Sequence, residues 1–243
     1  MKNDFTLNNA IDVAAVRVKF AERGRVEIRD LLGPGEADAL RKHLLERPDW
    51  SQVLNAGEGV YEIPRVDVSQ LTAQQVAELD TRVIDAARHG FQYRYESIRV
   101  PDDQAERERR GTLLDRFIAF MSSRPVLDLV AEITSADDLA FADGQATAYS
   151  HGHFLTAHDD DVSGKQRRAA YVFGLAPKWR AEWGGLLMFH GTDGNIEEAF
   201  APAMGVLRLF AVPCLHSVSY VTPFAPEPRI SVTGWLRARP PVV

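Results

Sequence analysis

The 243-residue sequence holds a single cysteine, Cys214, which excludes an internal disulfide and any metal site built on clustered thiolates. No apolar run approaches the ~20 residues of a membrane span. The opening stretch, MKNDFTLNNAIDVAAV, lacks the apolar segment of a signal peptide. Basic residues are outnumbered: 28 Lys+Arg against 34 Asp+Glu give a formal charge of −6, so the clustered cations that neutralise phosphate are missing. Also absent are a G-x-S-x-G elbow, a Walker loop, G-x-G-x-x-G and H-E-x-x-H, which removes most hydrolase, kinase and dehydrogenase readings. These absences point to a cytoplasmic protein whose partner is neither nucleic acid nor a membrane. What is present is the ordinary globular balance of 45% hydrophobic and 26% charged residues, with length enough for one large domain.

The first half reads as mixed helix and strand. Ile11 to Arg23 fits a helix, and Arg25 to Leu31 alternates as a strand does. Gly33-Pro34-Gly35 breaks the chain before a helix carrying Leu40, Leu44 and Leu45 on one stripe. Thr72 with Gln75 resembles a capping box ahead of a helix that aligns Val76, Leu79 and Val83. Phe91, Tyr93 and Tyr95 alternate as in a half-buried strand, and Pro101 to Gly111 is a charged connector. Two helices are expected at 113–122 and 125–134, the second capped by Ser123 with Pro125 in its first turn. From about Leu139 seven short apolar stretches follow one another without intervening helices, the texture of a sandwich or jelly roll. The expectation is one domain over 1–243: a helix-rich support region (1–138) and a jelly-roll catalytic core (139–240).

Five of the seven histidines fall in the β-rich half: His151, His153, His158, His190 and His216. Only His158 is followed two residues later by a carboxylate. On an extended strand, positions i and i+2 share a face, so His158 and Asp160 can hold one metal while Asp159 points away. His216, on a later strand, completes two histidines and a carboxylate, the facial triad of non-haem Fe(II) oxygenases. His190 is the rival third ligand, and His151 with His153 is a rival pair of the cupin kind. Arg229, Ser231 and Thr233 share one face of the last strand. If that face lines the barrel, the arginine needs an anion, which its planar fork suits. A solvated polar face is the plain alternative, as it is for Arg167 and Arg168. Cys214 reads as a small core residue, Trp179 and Trp183 as packing.

The ordered stretches YSHGHFLTAHDD (149–160), WGGLLMFH (183–190), His216-Ser-Val and Arg229-Ile-Ser-Val-Thr-Gly-Trp235 resemble the 2-oxoglutarate/Fe(II)-dependent dioxygenase superfamily, prolyl 4-hydroxylase-like branch. The resemblance covers roughly residues 140–238. It implies an α+β, mainly β fold: a double-stranded β-helix (jelly roll) flanked by N-terminal helices. By position it implies Fe(II) on His158, Asp160 and His216. It implies that Arg229, helped by Ser231, binds the far carboxylate of 2-oxoglutarate, with Tyr149 beside it. Tyr171 is the candidate for a second tyrosine on the co-substrate, with Gly174 as the other occupant of that place. Trp235 is expected to pack near the same pocket, and Leu155 stands where many relatives carry a tyrosine.

The cofactors so implied are Fe(II), 2-oxoglutarate and O2, with ascorbate as an optional reductant. The function implied is hydroxylation of an unactivated C–H bond, in a prolyl residue of a peptide or protein, with release of succinate and CO2. Fold and triad do not choose a substrate. A hydroxylase of a free amino acid or other small metabolite is the alternative within the class. A non-catalytic 2-oxoglutarate sensor or a structural zinc site is the alternative outside it.

Overall fold

A computed structural model of the chain describes residues 4–57 and 59–238. In chain order the elements are α1 (Val13–Arg23), β1 (Arg25–Ile28), α2 (Glu36–Leu45), β2 (Ser51–Ala56), β3 (Gly59–Pro64), α3 (Arg65–Val68), α4 (Ala73–His89), β4 (Tyr93–Arg99), α5 (Gln104–Arg110), α6 (Leu113–Met121) and α7 (Arg124–Thr134). The strands then run almost unbroken: β5 (Phe141–Ala142), β6 (Gln145–Tyr149), β7 (Phe154–His158), β8 (Arg167–Leu175), β9 (Leu187–His190), β10 (Ile196–Phe200), β11 (Met204–Ala211), β12 (His216–Val218) and β13 (Arg229–Arg237).

Local chemistry sets the helix ends. Asp12 caps α1 by accepting from the Ala15 N–H, and Gly24, left-handed at φ 66°, closes it. The Thr72–Gln75 pair forms a complete capping box on α4, and Thr112 with Asp115 forms another on α6. The charged connector is helical in its middle as α5. Its Arg107 is buried and donates to the carbonyls of Pro101 and Asp102. On α2, Leu40 and Leu44 are buried but Leu45 is exposed, because one further residue turns the side chain about 100° off the stripe.

Thirteen strands form one antiparallel sheet, in the order β1-β11-β8-β13-β6-β4-β7-β12-β9-β10, with β2–β3 branching from β4 and β5 from β13. It is the curled jelly-roll architecture expected. The expected boundary at residue 138 is crossed by the ladder itself: β1 pairs with β11, and β4 pairs with both β6 and β7. Strands β2, β3 and β10 are not foreseen in the sequence. The last two expose most of their side chains, so no alternation marks them. The two ends of the sheet meet through side chains, where Arg25 on β1 donates to Glu198 (2.7 Å) and Glu197 (2.9 Å), both on β10.

The sheet has two unlike faces. Outward side chains such as Phe173, Leu207, Leu209, Ile230 and Val232 pack beneath α6 and α7 in the main core. Inward, Ala170, Val172, Leu187, Phe189 and Phe210 form a smaller cluster, all of which but Phe189 border a cavity. Truncating Phe117 or Phe173, fully buried with rings 5.1 Å apart, carries the ~3–5 kcal/mol cost of an emptied aromatic site. Among the described residues no helix is long and apolar enough to cross a membrane.

Candidate metal centre and its cavity

His216, first in β12, is the direct cross-strand partner of His158, last in β7. That register brings the imidazole centroids to 4.2 Å. The ladder, not a loop, sets this distance, so both rings are fixed by backbone hydrogen bonds. Each ring is also fixed in rotation: His158 Nδ1 lies 3.0 Å from the Thr156 carbonyl and His216 Nδ1 lies 2.7 Å from the Cys214 carbonyl. A carbonyl only accepts, so Nδ1 carries the hydrogen and the Nε2 lone pair of each ring is free for a metal.

Asp160 arrives by a different route from the one the sequence suggests. The strand ends at His158, and Asp160 lies in the left-handed region at φ 63°. The turn, not strand alternation, swings its carboxylate back, to 3.6 Å from His158 Nε2 and 3.5 Å from His216 Nε2. Aspartate tolerates this backbone better than most residues, but at some cost in strain. One ligand atom from each of the three lies within 4.8 Å of the others. Two imidazoles, each with its Nδ1 on a carbonyl, and a carboxylate are a donor set that fits Fe(II). Burial pushes the His216 imidazolium down to about 4, helped by the neighbouring His158, so His216 is neutral as a ligand must be.

A cavity of about 580 Å³ opens from the triad into the barrel and ends at Arg229. Arg229 is 3% exposed, its guanidinium stands 5.1 Å over the Tyr149 ring, and it has no carboxylate within 4 Å among the described residues. Burial lowers its pKa to about 10, which leaves it charged at neutral pH. Gly185, at φ 64°, makes room for it: a Cβ there would press to 3.2 Å on Arg229 Cδ. Tyr149 is paired with Arg229 across the ladder, and burial raises its hydroxyl well above the ordinary range. It therefore stays protonated and able to donate. From Tyr149 an aromatic wall runs outward through Tyr95, Tyr93 and Phe91 at 5.4–5.6 Å spacings, and Phe91 ends 5.5 Å from His158.

Two further expected contacts lie on the strands that wall this cavity. Ser231 is buried with its hydroxyl 2.9 Å from that of Thr147, and it is Thr147 that borders the cavity. Tyr171 sits opposite Gly234 on the outward face of the sheet, packed in the main core, and its hydroxyl donates to the Asp143 carbonyl at 2.9 Å. Gly234 permits this, since a Cβ would lie 2.8 Å from the Tyr171 ring and 2.0 Å from Asp143 O. Ala170, Val172 and Gly174 form the other face of β8, and Tyr171 is itself among the residues that border the cavity, with its hydroxyl given to the Asp143 carbonyl.

The rival histidines are likewise accounted for. His190 bonds Ser217 Oγ at 2.7 Å on the outer side of β12. His151 is exposed against Tyr220, while His153 is buried and accepts from the Ser150 N–H, so the two share no ion. Cys214 is half-buried, and burial raises its thiol pKa. Trp179 and Trp183 pack edge to face at 5.5 Å. Arg168 is a surface residue paired with Asp138, but Arg167, grouped with it in the sequence, turns inward onto Trp235 beside the triad. No sequence signal separated the two arginines beyond strand parity.

Residues 144–237, which contain the lining of this cavity except Val60, Phe91, Tyr93 and Tyr95, match the family model described as the 2OG-Fe(II) oxygenase superfamily. Over that stretch the chain is similar to the 2OG-Fe(II) oxygenases. Mouse prolyl 3-hydroxylase OGFOD1 is 28% identical over 133 residues; the match covers 52% of this chain and 22% of that protein. The chain thus spans about a fifth of this curated relative's length. A Pseudomonas putida prolyl-4-hydroxylase superposes with a TM-score of 0.57 at 22% identity, covering 93% of this chain and 99% of that one. A Trichoplax adhaerens prolyl hydroxylase, solved with a hypoxia inducible factor peptide fragment, gives 0.58 at 15% identity, covering 93% and 89%. At these identities the two structures establish a shared fold, that of the prolyl hydroxylases.

Proposed function

We propose that the protein is an Fe(II)- and 2-oxoglutarate-dependent dioxygenase that hydroxylates an unactivated C–H bond of a prolyl residue in a peptide or protein, with release of succinate and CO2. The observation that carries the reading is one cavity with a metal donor set at its mouth and a buried arginine without a counter-ion at its inner end. A buried charge left unpaired is costly, so the site is complete only when an anion enters. A small diacid that reaches from Arg229 toward the triad meets both requirements.

Iron, 2-oxoglutarate and O2, when bound, supply the oxidising chemistry. The chain's residues supply the rest. His158 and His216 present fixed Nε2 atoms, and Asp160 adds the negative charge that favours a divalent ion. Arg229 offers a planar, charge-assisted fork to the distal carboxylate, while Tyr149 keeps a donor beside it. The floor of Phe210, Leu187, Val172 and Val218 keeps water out of the inner cavity. The wall of Tyr95, Tyr93 and Phe91 leads from the cavity to solvent and gives a flat apolar surface for the ring that bears the target C–H bond. The prolyl assignment is supported by the mouse prolyl 3-hydroxylase and by the two prolyl hydroxylase folds, one of them solved with a peptide. A single half-buried cysteine fits a reducing, cytoplasmic setting.

The test is a substrate screen. Iron-loaded protein is incubated with 2-oxoglutarate, with and without ascorbate, and with proline-containing peptides or metabolite pools. Succinate and a gain of one oxygen are followed by mass spectrometry. Oxygen gained only by a free metabolite moves the substrate to the small-molecule class. Succinate absent under every condition defeats the enzyme reading in favour of a binding protein.

A further inference from the structure

The three ligands are not held alike. The two histidines face one another across a hydrogen-bonded ladder, whereas Asp160 lies beyond the end of β7 on a left-handed residue. Something must oppose the relaxation of that backbone. On one side the Asp159 carbonyl accepts from the Cys214 N–H at 3.2 Å, which ties the turn to the approach of β12. On the other side the Asp160 carbonyl accepts from Arg167 NH1 at 2.9 Å. The same nitrogen lies 3.8 Å from Asp160 Oδ1, so one guanidinium touches both the backbone and the carboxylate of the ligand.

Arg167 is itself well anchored. It begins β8, in register with Arg237 of β13, and the preceding loop is pinned by Arg237 Nε on the Lys165 carbonyl (2.7 Å) and the Ala238 N–H on the Gln166 carbonyl (3.0 Å). Its side chain is 13% exposed, and the guanidinium carbon stands 3.6 Å over the Trp235 ring. A flat cation stacked that closely on a fixed indole has little freedom left. The arginine therefore carries the rigidity of the β8–β13 wall to the one triad ligand that the ladder does not hold.

We infer that Arg167, stacked on Trp235, is a positioning residue for the metal centre: it fixes the Asp160 turn so that the carboxylate is in place before the ion arrives. The inference rests on the metal-binding reading above. Partners that orient ligands in this way are worth about 10- to 100-fold in metal affinity.

The test measures metal binding without turnover. Co(II) affinity of the metal-free protein is obtained by competition with a chromophoric chelator, and the ligand-field bands of the Co(II) form are recorded. Arg167→Ala is expected to weaken binding about tenfold or more and to shift the bands, with the melting temperature of the metal-free protein little changed. Trp235→Phe, which keeps a ring to stack on, is expected to stay near wild type. Arg167→Lys keeps the donor and the charge without the flat stack, and is expected to recover part of the loss. Wild-type affinity and bands in Arg167→Ala would overturn the inference and leave the metal centre standing. If Arg167→Ala does not fold, Arg167→Lys decides: unchanged affinity and bands overturn the inference, weaker binding supports it. Failure of the wild-type chain to bind Co(II), or equal binding by Asp160→Ala, would instead remove the metal centre itself.

Discussion

The two ends of the cavity are built on opposite principles. At the mouth each triad residue has a polar partner in the protein: both Nδ1 atoms rest on carbonyls, and the turn that carries Asp160 is held from two sides. At the inner end Arg229 is charged, buried and without an acid among the described residues. The first end is organised by the protein alone and waits for an ion. The second is left electrostatically incomplete and waits for an anion. Preorganisation lowers the cost of binding at the mouth, and an uncompensated charge makes binding at the inner end a relief of strain in the free protein.

The largest expected effect falls on the mouth. Asp160→Ala and His216→Ala each remove a ligand that no neighbour replaces, so succinate formation should vanish and Co(II) should no longer raise the melting temperature. Retained turnover in either variant, followed by succinate release, would break the assignment of the triad. A loss of turnover with undiminished metal stabilisation would show that the ion sits elsewhere.

The inner end should respond differently. Arg229→Met replaces an unpaired buried cation by an apolar side chain of similar length. The ligand-free protein is therefore expected to be as stable as wild type or more so, which is rare for a change at a fully buried site. The KM for 2-oxoglutarate should rise at least about 30-fold, the equivalent of the ~2 kcal/mol or more that a buried charge-assisted contact carries. Metal affinity measured without 2-oxoglutarate should not move. Thermal melts with and without the diacid separate these outcomes, and a variant that loses stability without losing 2-oxoglutarate would sink the counter-ion argument.

Much of this contrast is readable in the sequence, for identifiable reasons. His158, His216 and Arg229 lie in regular strands, where parity decides which way a side chain points. Asp160 is brought to the two histidines by another route than the one expected, since the H-x-D spacing suggests a strand and the chain uses a left-handed turn. Arg167 is hidden in the polar run Lys165-Gln-Arg-Arg168, whose texture matches a solvated hairpin. Only the onset of β8 at that residue turns it inward. Tyr171 stands one step of parity from Ala170 and Val172, the step that moves every side chain of a strand to the other face, and its hydroxyl goes to the Asp143 carbonyl. Strands β3 and β10 escape because they are mostly exposed, and an exposed strand has no hydrophobic rhythm.

A smaller effect separates the histidine of the cavity from the one outside it. Burial lowers both His216 and His153 to about 4. Between about 6.5 and 4 the unfolded chain binds protons that the folded chain refuses, so stability is full above pH 6.5 and declines as the pH falls toward 4. His153 alone accounts for roughly 3 kcal/mol of that decline. In His153→Asn, which keeps an acceptor for the Ser150 N–H, urea melts across this range should show a shallower slope. Zinc or cobalt affinity should be unaffected, because His153 is no part of the triad. An unchanged slope would mean that His153 is not held neutral.

The smallest effect compares two tyrosines on the two faces of one sheet. Tyr149 faces the cavity beside Arg229, while Tyr171 donates outward to Asp143. Tyr149→Phe removes a donor next to the anion position and should raise the KM for 2-oxoglutarate about tenfold, as loss of a hydrogen bond to a charged group does. Tyr171→Phe should leave that KM alone and cost about 1 kcal/mol of stability, because the buried Asp143 carbonyl loses its donor. Steady-state kinetics and denaturant melts on the pair read the two quantities independently. If Tyr171→Phe raised the KM while Tyr149→Phe did not, the inward and outward faces of the sheet would be assigned the wrong way round. Both the counter-ion reading of Arg229 and the register that places it would then fall together.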